Sequence, residues 1–418
     1  MSSALCTRRA DCRLCSSTQL TEVLSLAPTP PANAFVGAAE LSAPQPTFPL
    51  DVFFCEDCGH VQLLDVVDPE VLFGNYVYVS GTSPVFVQHF ADYAEQVAER
   101  YAPDADGDLA LDIGSNDGTL LAQFRRLGFS VLGVDPARDI AKAATEAGIE
   151  TLATFFTAKL ARDILAERGP AQVITANNVF AHADDLADIA DGVAALLASD
   201  GVFVFEVSYL VDVYEKTLFD TIYHEHLAYH SVAPLAGFLA RHGMELIAAE
   251  RVGSHGGSLR ATAQRAGGPH PIEPSVAERI AEERRLGLDR AETLKGFGAK
   301  IDALKSELTR RLAELKQAGK TIAGFGAPAK ATTLMYHFGI GPDVIDFIVD
   351  DSPLKQGLYS PGMHIPVLPS NALYDRKPDA VVILAWNFAE PIVRNHARYL
   401  EAGGEFIVPL PELRIHKR

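Results

Sequence analysis

The sequence predicts an α/β protein of three domains: a small cysteine-organised amino-terminal module, a doubly wound parallel sheet, and a second, smaller α/β unit at the carboxyl end. Three observations predict it. Four of the five cysteines fall in two Cys-x-x-Cys pairs, Cys12 with Cys15 and Cys55 with Cys58. Short apolar runs alternate with helical patterns from about residue 85 to residue 207, the pattern of a parallel sheet wound with helices on both faces. A strand, a glycine turn and a helix then recur between Thr321 and Leu334. At 418 residues the chain is long enough for two or three cores.

Composition narrows the class. With 48% hydrophobic and 22% charged residues the chain is expected to fold throughout. No apolar run reaches the length of a membrane span and the first residues lack the apolar core of a signal peptide, so a cytoplasmic location and no membrane partner are expected. A net charge of −18 opposes nucleic-acid binding, because the phosphate backbone is repelled, whereas an anionic small ligand needs only a locally basic pocket. Nothing in the sequence specifies an assembly, and a monomer is expected.

Residues 1–70 form the first domain. In a chain without a secretory signal the paired knuckles read as a tetrahedral structural zinc site, with Gly59 easing the second turn. A redox pair is disfavoured because neither knuckle opens a helix after a strand; an iron–sulfur cluster is the alternative. The module is short and carries the proline-rich stretch Ala27 to Pro31, so metal is expected to supply much of its folding free energy.

Residues 71–255 form the second domain. Phe86, Phe90, Tyr93 and Val97 are spaced for a helix over 85–103. Strands are predicted at Leu109 to Ile113, Ser130 to Val134, Val173 to Thr175 and Val202 to Val207, with helices at 137–147, 157–167 and 184–198 between them. Residues 256–418 form the third. Pro271 to about 319 is charged and helical in pattern, read as a connector with solvated faces, and strands follow at Val344 to Val349 and Ala380 to Leu384.

Asp112-Ile-Gly-Ser-Asn-Asp-Gly sits at the carboxyl end of the first strand of the second domain, where open α/β sheets bind ligands. Gly114 and Gly118 allow close backbone approach, with Asn116 between them, and Asp135 ends the next strand, where a carboxylate accepts ribose hydroxyls. An adenosine-containing cofactor is indicated. The loop departs from Gly-x-Gly-x-x-Gly, and Ser115-Asn116-Asp117 would repel a pyrophosphate. The later strand ending Ala176-Asn-Asn-Val-Phe-Ala-His places Asn177, Asn178 and His182 at the same edge; His182 is otherwise a capping or packing histidine.

Tyr223, His224, Glu225, His226, Tyr229 and His230 lie within eight consecutive positions. Histidine titrates near neutrality, glutamate accepts protons or orients a histidine, and tyrosine donates to a developing oxyanion, so the cluster suits proton abstraction beside a carbonyl. The alternatives are a metal site or a polar loop. A helix-borne zinc hydrolase needs histidines four apart, and His224 and His226 are two apart.

The loop Asp112 to Gly118, with Asp135 and the Asn177–Asn178 strand end, resembles a class I S-adenosylmethionine-dependent methyltransferase, in which the first loop cradles the methionine part and the second acid holds the ribose. Thr151 to Phe156 lacks the carboxylate that many such enzymes aim at the adenine amine, leaving Phe155 or Phe156 to pack on the ring. With the cysteine module, Tyr-His-Glu-His-Leu, Gly253-Ser-His-Gly-Gly-Ser-Leu-Arg260 and Gly324-Phe-Gly-Ala-Pro-Ala-Lys330, essentially the whole chain resembles the sugar C-methyltransferase family, which acts on nucleotide-linked keto-deoxysugars. The resemblance implies structural zinc, S-adenosylmethionine, and a Rossmann-like carboxyl-terminal domain that helps hold the nucleotide-sugar. It implies that His226 is the base, that Glu225 orients it or shares the proton, and that Tyr223 and His182 stabilise the enolate or the sugar carbonyl. Tyr76 and Ser80 are placed to close over the substrate, Tyr76 being otherwise a packed aromatic. His255, Ser258, Arg260 and Lys330 are the further substrate candidates; Arg260 is otherwise half of a structural salt bridge and Lys330 a surface lysine. An O- or N-methyltransferase and a non-catalytic nucleotide-sugar-binding protein are the rival readings.

Overall fold

The computed structural model describes residues 5–73 and 84–418. Tyr76, Ser80 and the side chain of His255 lie outside the described residues.

The second domain is built on a seven-stranded sheet. Its strands are β1 (Leu109–Ile113), β2 (Ser130–Val134), β3 (Thr151–Leu152), β4 (Ala171–Asn177), β5 (Leu197–Ser208), β6 (Met244–Val252) and β7 (Ser258–Arg265), in the order β6-β7-β5-β4-β1-β2-β3. β1 is buried at every position, as expected of a strand with helices on both faces. β7 runs antiparallel between β5 and β6, with Glu206 opposite Arg260. The sheet therefore ends at Arg265, beyond the boundary expected at 255, because a hairpin from β6 inserts the last strand back into the same sheet. The helix Pro84–Tyr101 covers this sheet through Tyr93, Ala94, Val97 and Ala98.

The third domain is a six-stranded sheet of β8 (Ile322–Phe325), β9 (Phe347–Val349), β10 (Val367–Leu368), β11 (Ala380–Ile383), β12 (Glu405–Val408) and β13 (Arg414–His416), in the order β10-β9-β8-β11-β12-β13. The charged stretch before it is two helices, Pro274–Leu286 and Ala291–Gln317, separated by Gly287 in the left-handed conformation that ends the first. Only one side of this pair is solvated. Leu294, Phe297, Ile301, Leu308 and Leu312 are buried, and the buried Glu283 carboxylate accepts the Tyr209 hydroxyl and the amides of Val232 and Ala233. The expectation of a merely solvated connector gives way because one apolar stripe every three to four residues is enough to dock a helix.

In the first domain, strands Leu20–Thr29, Phe48–Cys55 and Val61–Leu63 form a meander, and a fourth strand joins them from far along the chain. That strand is Ala228–Tyr229, paired antiparallel with Val61 and Gln62. The histidine-rich segment is thereby stitched to the cysteine module. Among the described residues no helix is long and apolar enough to cross a membrane.

Candidate active site

The glycine loop folds tightly because its residues permit little else. Gly114 and Gly118 have φ of +71° and +76°, and a Cβ on Gly118 would meet Ile149 at 2.8 Å, while one on Gly114 would enter the Val179 side chain. Asp135 accepts the amides of Asn116 (2.8 Å, Oδ2) and Ala137 (2.8 Å, Oδ1), so it braces the loop from the next strand. Burial raises its carboxyl pKa, with the Ala137 and Asn116 amides pulling it back. Asp112 accepts the Thr175 hydroxyl at 2.6 Å and is pushed up to about 7 by burial. The Asn177 amide lies beside the Tyr93 hydroxyl, which donates instead to the Val204 carbonyl, and among the described residues no hydrogen bond closes on Asn177 Oδ1 or Nδ2. Asn178, with φ of +56°, anchors its amide on the Glu206 carbonyl. A glycine cradle, a carboxylate and an orphaned buried amide at one sheet edge fit an adenosyl cofactor. Phe156 is buried in the core, which leaves Phe155, 54% exposed, as the aromatic at this edge.

The histidine segment sorts itself by burial. His224 is buried against Phe48, bonded to the Phe48 carbonyl at 3.2 Å, and burial pulls its pKa down to about 4. His230 is likewise buried, stacked on Phe180 and lowered to about 4. Both are neutral packing residues. From Phe219 to Val232 only Tyr223 and His226 keep partial exposure. A turn, His226 amide to Tyr223 carbonyl, brings these two side chains together. His226 Nδ1 lies 2.8 Å from the Thr221 carbonyl, which can only accept, so Nδ1 carries the proton and Nε2 accepts the Tyr223 hydroxyl at 2.9 Å. His182 stacks on His226 with ring centroids 4.9 Å apart.

Glu225 was expected to orient His226; that position is held by the Thr221 carbonyl. The Glu225 carboxylate instead accepts Asn33 Nδ2 at 2.8 Å, reaching into the cysteine module. Burial pushes it up to about 7, with Asn33 lowering it in part.

The four cysteine sulfurs lie within 4.8 Å of one another, with Cys12 to Cys58 at 3.6 Å and Cys15 to Cys55 at 3.5 Å. Tetrahedral zinc with bonds of about 2.3 Å sets its sulfurs roughly 3.8 Å apart, so the tetrad fits the metal. Cys6 lies outside it, in the short strand Cys6–Arg8.

Arg260 is a correction. It is buried, pairs with Glu206 at 2.6 Å, bonds Gln96 at 3.0 Å and lies over the Tyr93 ring. This is the structural salt bridge and not a phosphate contact, because β7 inserts Arg260 directly opposite Glu206. Glu206 also meets His89 at 3.0 Å and Ser254 at 3.1 Å; burial would raise it, but His89 and Arg260 hold it low. Ser258 is buried, its hydroxyl donated to the Ser254 carbonyl. Lys330 is half-buried with Nζ 3.8 Å from the Trp386 ring centroid, lowered to about 8 by burial against the pull of Asp220.

The third domain repeats the cofactor edge. The Gly326 amide bonds the Val349 carbonyl at 2.7 Å as the Gly114 amide bonds Val134 at 2.7 Å. Asp350 accepts the amides of Ala327 (2.6 Å) and Ser352 (2.8 Å), as Asp135 does those of Asn116 and Ala137. Asp350 was missed in the sequence although its signal, an acid ending the strand after a glycine turn, was the one that found Asp135. Asn33 had no such signal.

Profiles of known families match three consecutive stretches: a zinc binding domain over residues 12–73, a methyltransferase domain over 87–249 and a C-methyltransferase C-terminal domain over 253–411. Fold and site define an S-adenosylmethionine-dependent methyltransferase carried on a zinc-binding module. The chain is 37% identical to the C-methyltransferase NovU of Streptomyces niveus over 405 residues, 97% of this chain and 96% of that one. It belongs to the C-methyltransferase family. It is also 33% identical to a ubiquinone biosynthesis O-methyltransferase of Caulobacter sp. (strain K31), over 26% of this chain and 47% of that one. Among solved structures, magnesium protoporphyrin IX methyltransferase of Synechocystis PCC 6803 with bound SAH aligns with a TM-score of 0.33 at 18% identity, covering 43% of this chain and 83% of that one.

Proposed function

We propose that this C-methyltransferase acts on a nucleotide-linked 4-keto-deoxysugar, carried on thymidine diphosphate and alkylated at C-3, in the biosynthesis of an antibiotic or surface deoxysugar. The observation that carries the reading is the Thr221–His226–Tyr223 chain, which presents an unprotonated imidazole Nε2 beside a phenol at the accessible point of an otherwise buried segment. An amine nucleophile needs no base, whereas a carbon acid beside a ketone becomes a nucleophile only when a base removes its proton.

When bound, S-adenosylmethionine supplies a methyl group on positively charged sulfur, held by Gly114, Asn116, Gly118, Asp135 and the Asn177–Asn178 edge, with Asp112 buttressing the strand end. Nε2 of His226 takes the proton from C-3, and the C–H electron pair moves into the enolate. Thr221 stabilises the imidazolium through Nδ1–H. The Tyr223 hydroxyl, released from Nε2, turns to the C-4 oxygen as charge develops there, with His182 beside it. Glu225, its carboxyl pushed up to about 7 by burial, holds the turn through Asn33 of the cysteine module. The repeated turn at Gly326 with Asp350 supports a nucleoside site in the third domain, with Lys330 at its helix start and Lys355, which donates to the Ala327 carbonyl at 2.7 Å, as nearby cations. Tyr76, Ser80 and His255 keep the substrate roles that the sequence proposed. Residues 71–255 together with β7 serve the cofactor, and the remainder of 256–418 serves the nucleotide.

The test is mass spectrometry of the zinc-loaded protein with S-adenosylmethionine and a panel of thymidine-diphosphate 4-keto-6-deoxysugars. A sugar heavier by one methylene, made by wild type and lost in His226→Asn, supports the reading. Wild type that yields neither methylated sugar nor S-adenosylhomocysteine with any panel member rejects the substrate class.

A further inference from the structure

The turn that carries His226 is gripped largely from outside its own domain. Phe48 and Asn33 of the zinc module hold His224 and Glu225. The third domain holds the other side: Thr333 Oγ1 donates to the Ile222 carbonyl at 2.8 Å, and the Trp386 indole Nε1 donates to Asp220 Oδ2 at 2.6 Å.

Asp220 is the unusual member. It is 0% exposed, one oxygen is taken by Trp386, and the other, Oδ1, meets no donor of another residue among the described residues. A buried carboxylate with a half-empty set of acceptors costs free energy that an apolar residue of the same size would avoid, so its place needs a reason. Lys330, whose ammonium lies on the same Trp386 ring, is the cation that faces it. Asp220 sits in the single helical turn Phe219–Thr221, and the next residue's carbonyl is the acceptor that fixes the His226 tautomer. A shift of this turn moves the Thr221 carbonyl, and with it the proton on Nδ1 and the lone pair on Nε2.

We propose that Asp220 is a positioning residue: Trp386 and Lys330 of the third domain hold its carboxylate, the carboxylate holds the Phe219–Thr221 turn, and the turn holds His226 in the tautomer and direction that proton abstraction needs. This rests on the reading of His226 as the base. Docking of the third domain is thereby a condition for a competent base and not only a means of holding substrate. The residues that enforce the coupling touch neither cofactor nor reacting carbon.

The experiment uses the full-length zinc-loaded protein, with Asp220→Asn, Trp386→Phe and His226→Asn. Steady-state kinetics with S-adenosylmethionine and whichever thymidine-diphosphate 4-keto-6-deoxysugar wild type turns over are combined with 15N-histidine NMR. The His226 signal is identified as the one lost in His226→Asn. Asp220→Asn and Trp386→Phe are expected to lower kcat by about tenfold to a hundredfold, the scale of a small misplacement, with KM for S-adenosylmethionine within about twofold. The His226 signal is expected to lose its Nδ1–H pattern. Thermal unfolding is followed for each variant; should Asp220→Asn unfold, Trp386→Phe, which keeps a six-membered ring for Lys330 and removes the N–H donor together with the five-membered ring, decides the matter. A kcat within about twofold of wild type in Trp386→Phe, with His226→Asn inactive, overturns the coupling and leaves the base in place. Turnover retained in His226→Asn overturns both.

Discussion

Glu225→Gln is the perturbation whose size follows most directly from the structure. Glu225 is buried and its carboxyl is raised from 4.5 to about 7, burial outweighing the Asn33 amide. A carboxyl raised on folding binds its proton more tightly in the folded state, so its contribution is fully present below the unfolded value and is lost as pH climbs through the folded one. Each tenfold in that equilibrium is worth about 1.4 kcal/mol, so the loss reaches roughly 3 kcal/mol above about pH 7. Glutamine keeps the acceptor for Asn33 Nδ2 and does not titrate. The stability of Glu225→Gln relative to wild type is therefore expected to improve by roughly 1 kcal/mol near about pH 5.5 and by roughly 3 kcal/mol near about pH 8, beyond any constant difference in packing. At the domain sizes involved this is a divergence in melting temperature of several degrees, on the order of 5 °C. Calorimetry of both proteins across that pH range, zinc-loaded throughout, reads it. Melting curves that stay parallel with pH would refute the reasoning, since they would mean that Glu225 is ionised with equal ease folded and unfolded.

Cys58→Ser is expected to reduce bound zinc from one per chain to none by elemental analysis, and to abolish turnover, because Asn33 and the Phe48 carbonyl reach the catalytic turn from the metal-organised module. Asp135→Ala is expected to weaken S-adenosylhomocysteine binding by about tenfold to a hundredfold in titration calorimetry, the worth of hydrogen bonds to a charged group of about 1.5–3 kcal/mol, since it removes the carboxylate and frees the Asn116 amide. Arg260→Met is expected to cost about 3–5 kcal/mol in denaturant unfolding by leaving Glu206 buried without its main cation, while the sugar KM of the folded fraction is unchanged. A raised KM without loss of stability would restore Arg260 as a substrate contact.

The central strands of both sheets were legible because the signals that set them are local, whereas Met244–Val252, Ser258–Arg265 and the strands after Leu384 were not. Leu109–Ile113 and Ser130–Val134 are short apolar runs that end at a glycine turn and an acid, and each has the predicted limits. Gly114 and Gly118 could be read as loop residues because their backbone angles admit no side chain, a property of the residue and its neighbours. The cysteine spacing predicted a tetrahedral set for the same reason, as each knuckle is a turn of four residues. Boundaries were less legible: Ser258–Arg265 reads as a patch of substrate candidates beyond the boundary at 255, and only pairing with β5 and β6 makes it a strand of the earlier sheet.

By itself the sequence determined the three-part architecture, the metal tetrad, the cofactor edge and the presence of proton-transfer chemistry between Tyr223 and His230. It could not divide the labour among those residues. His224, His226 and His230 are equivalent as letters; what separates them is that Ala228–Tyr229 pairs with Val61 and Gln62, which buries His224 and His230 and turns Tyr223 and His226 outward. Asn33 meets Glu225, and Trp386 meets Asp220, across 192 and 166 residues of chain. Burial and hydrogen-bond partners set proton affinity, and both are fixed by contacts between distant segments, so the chemistry of the site was decided only when the three domains closed on one turn.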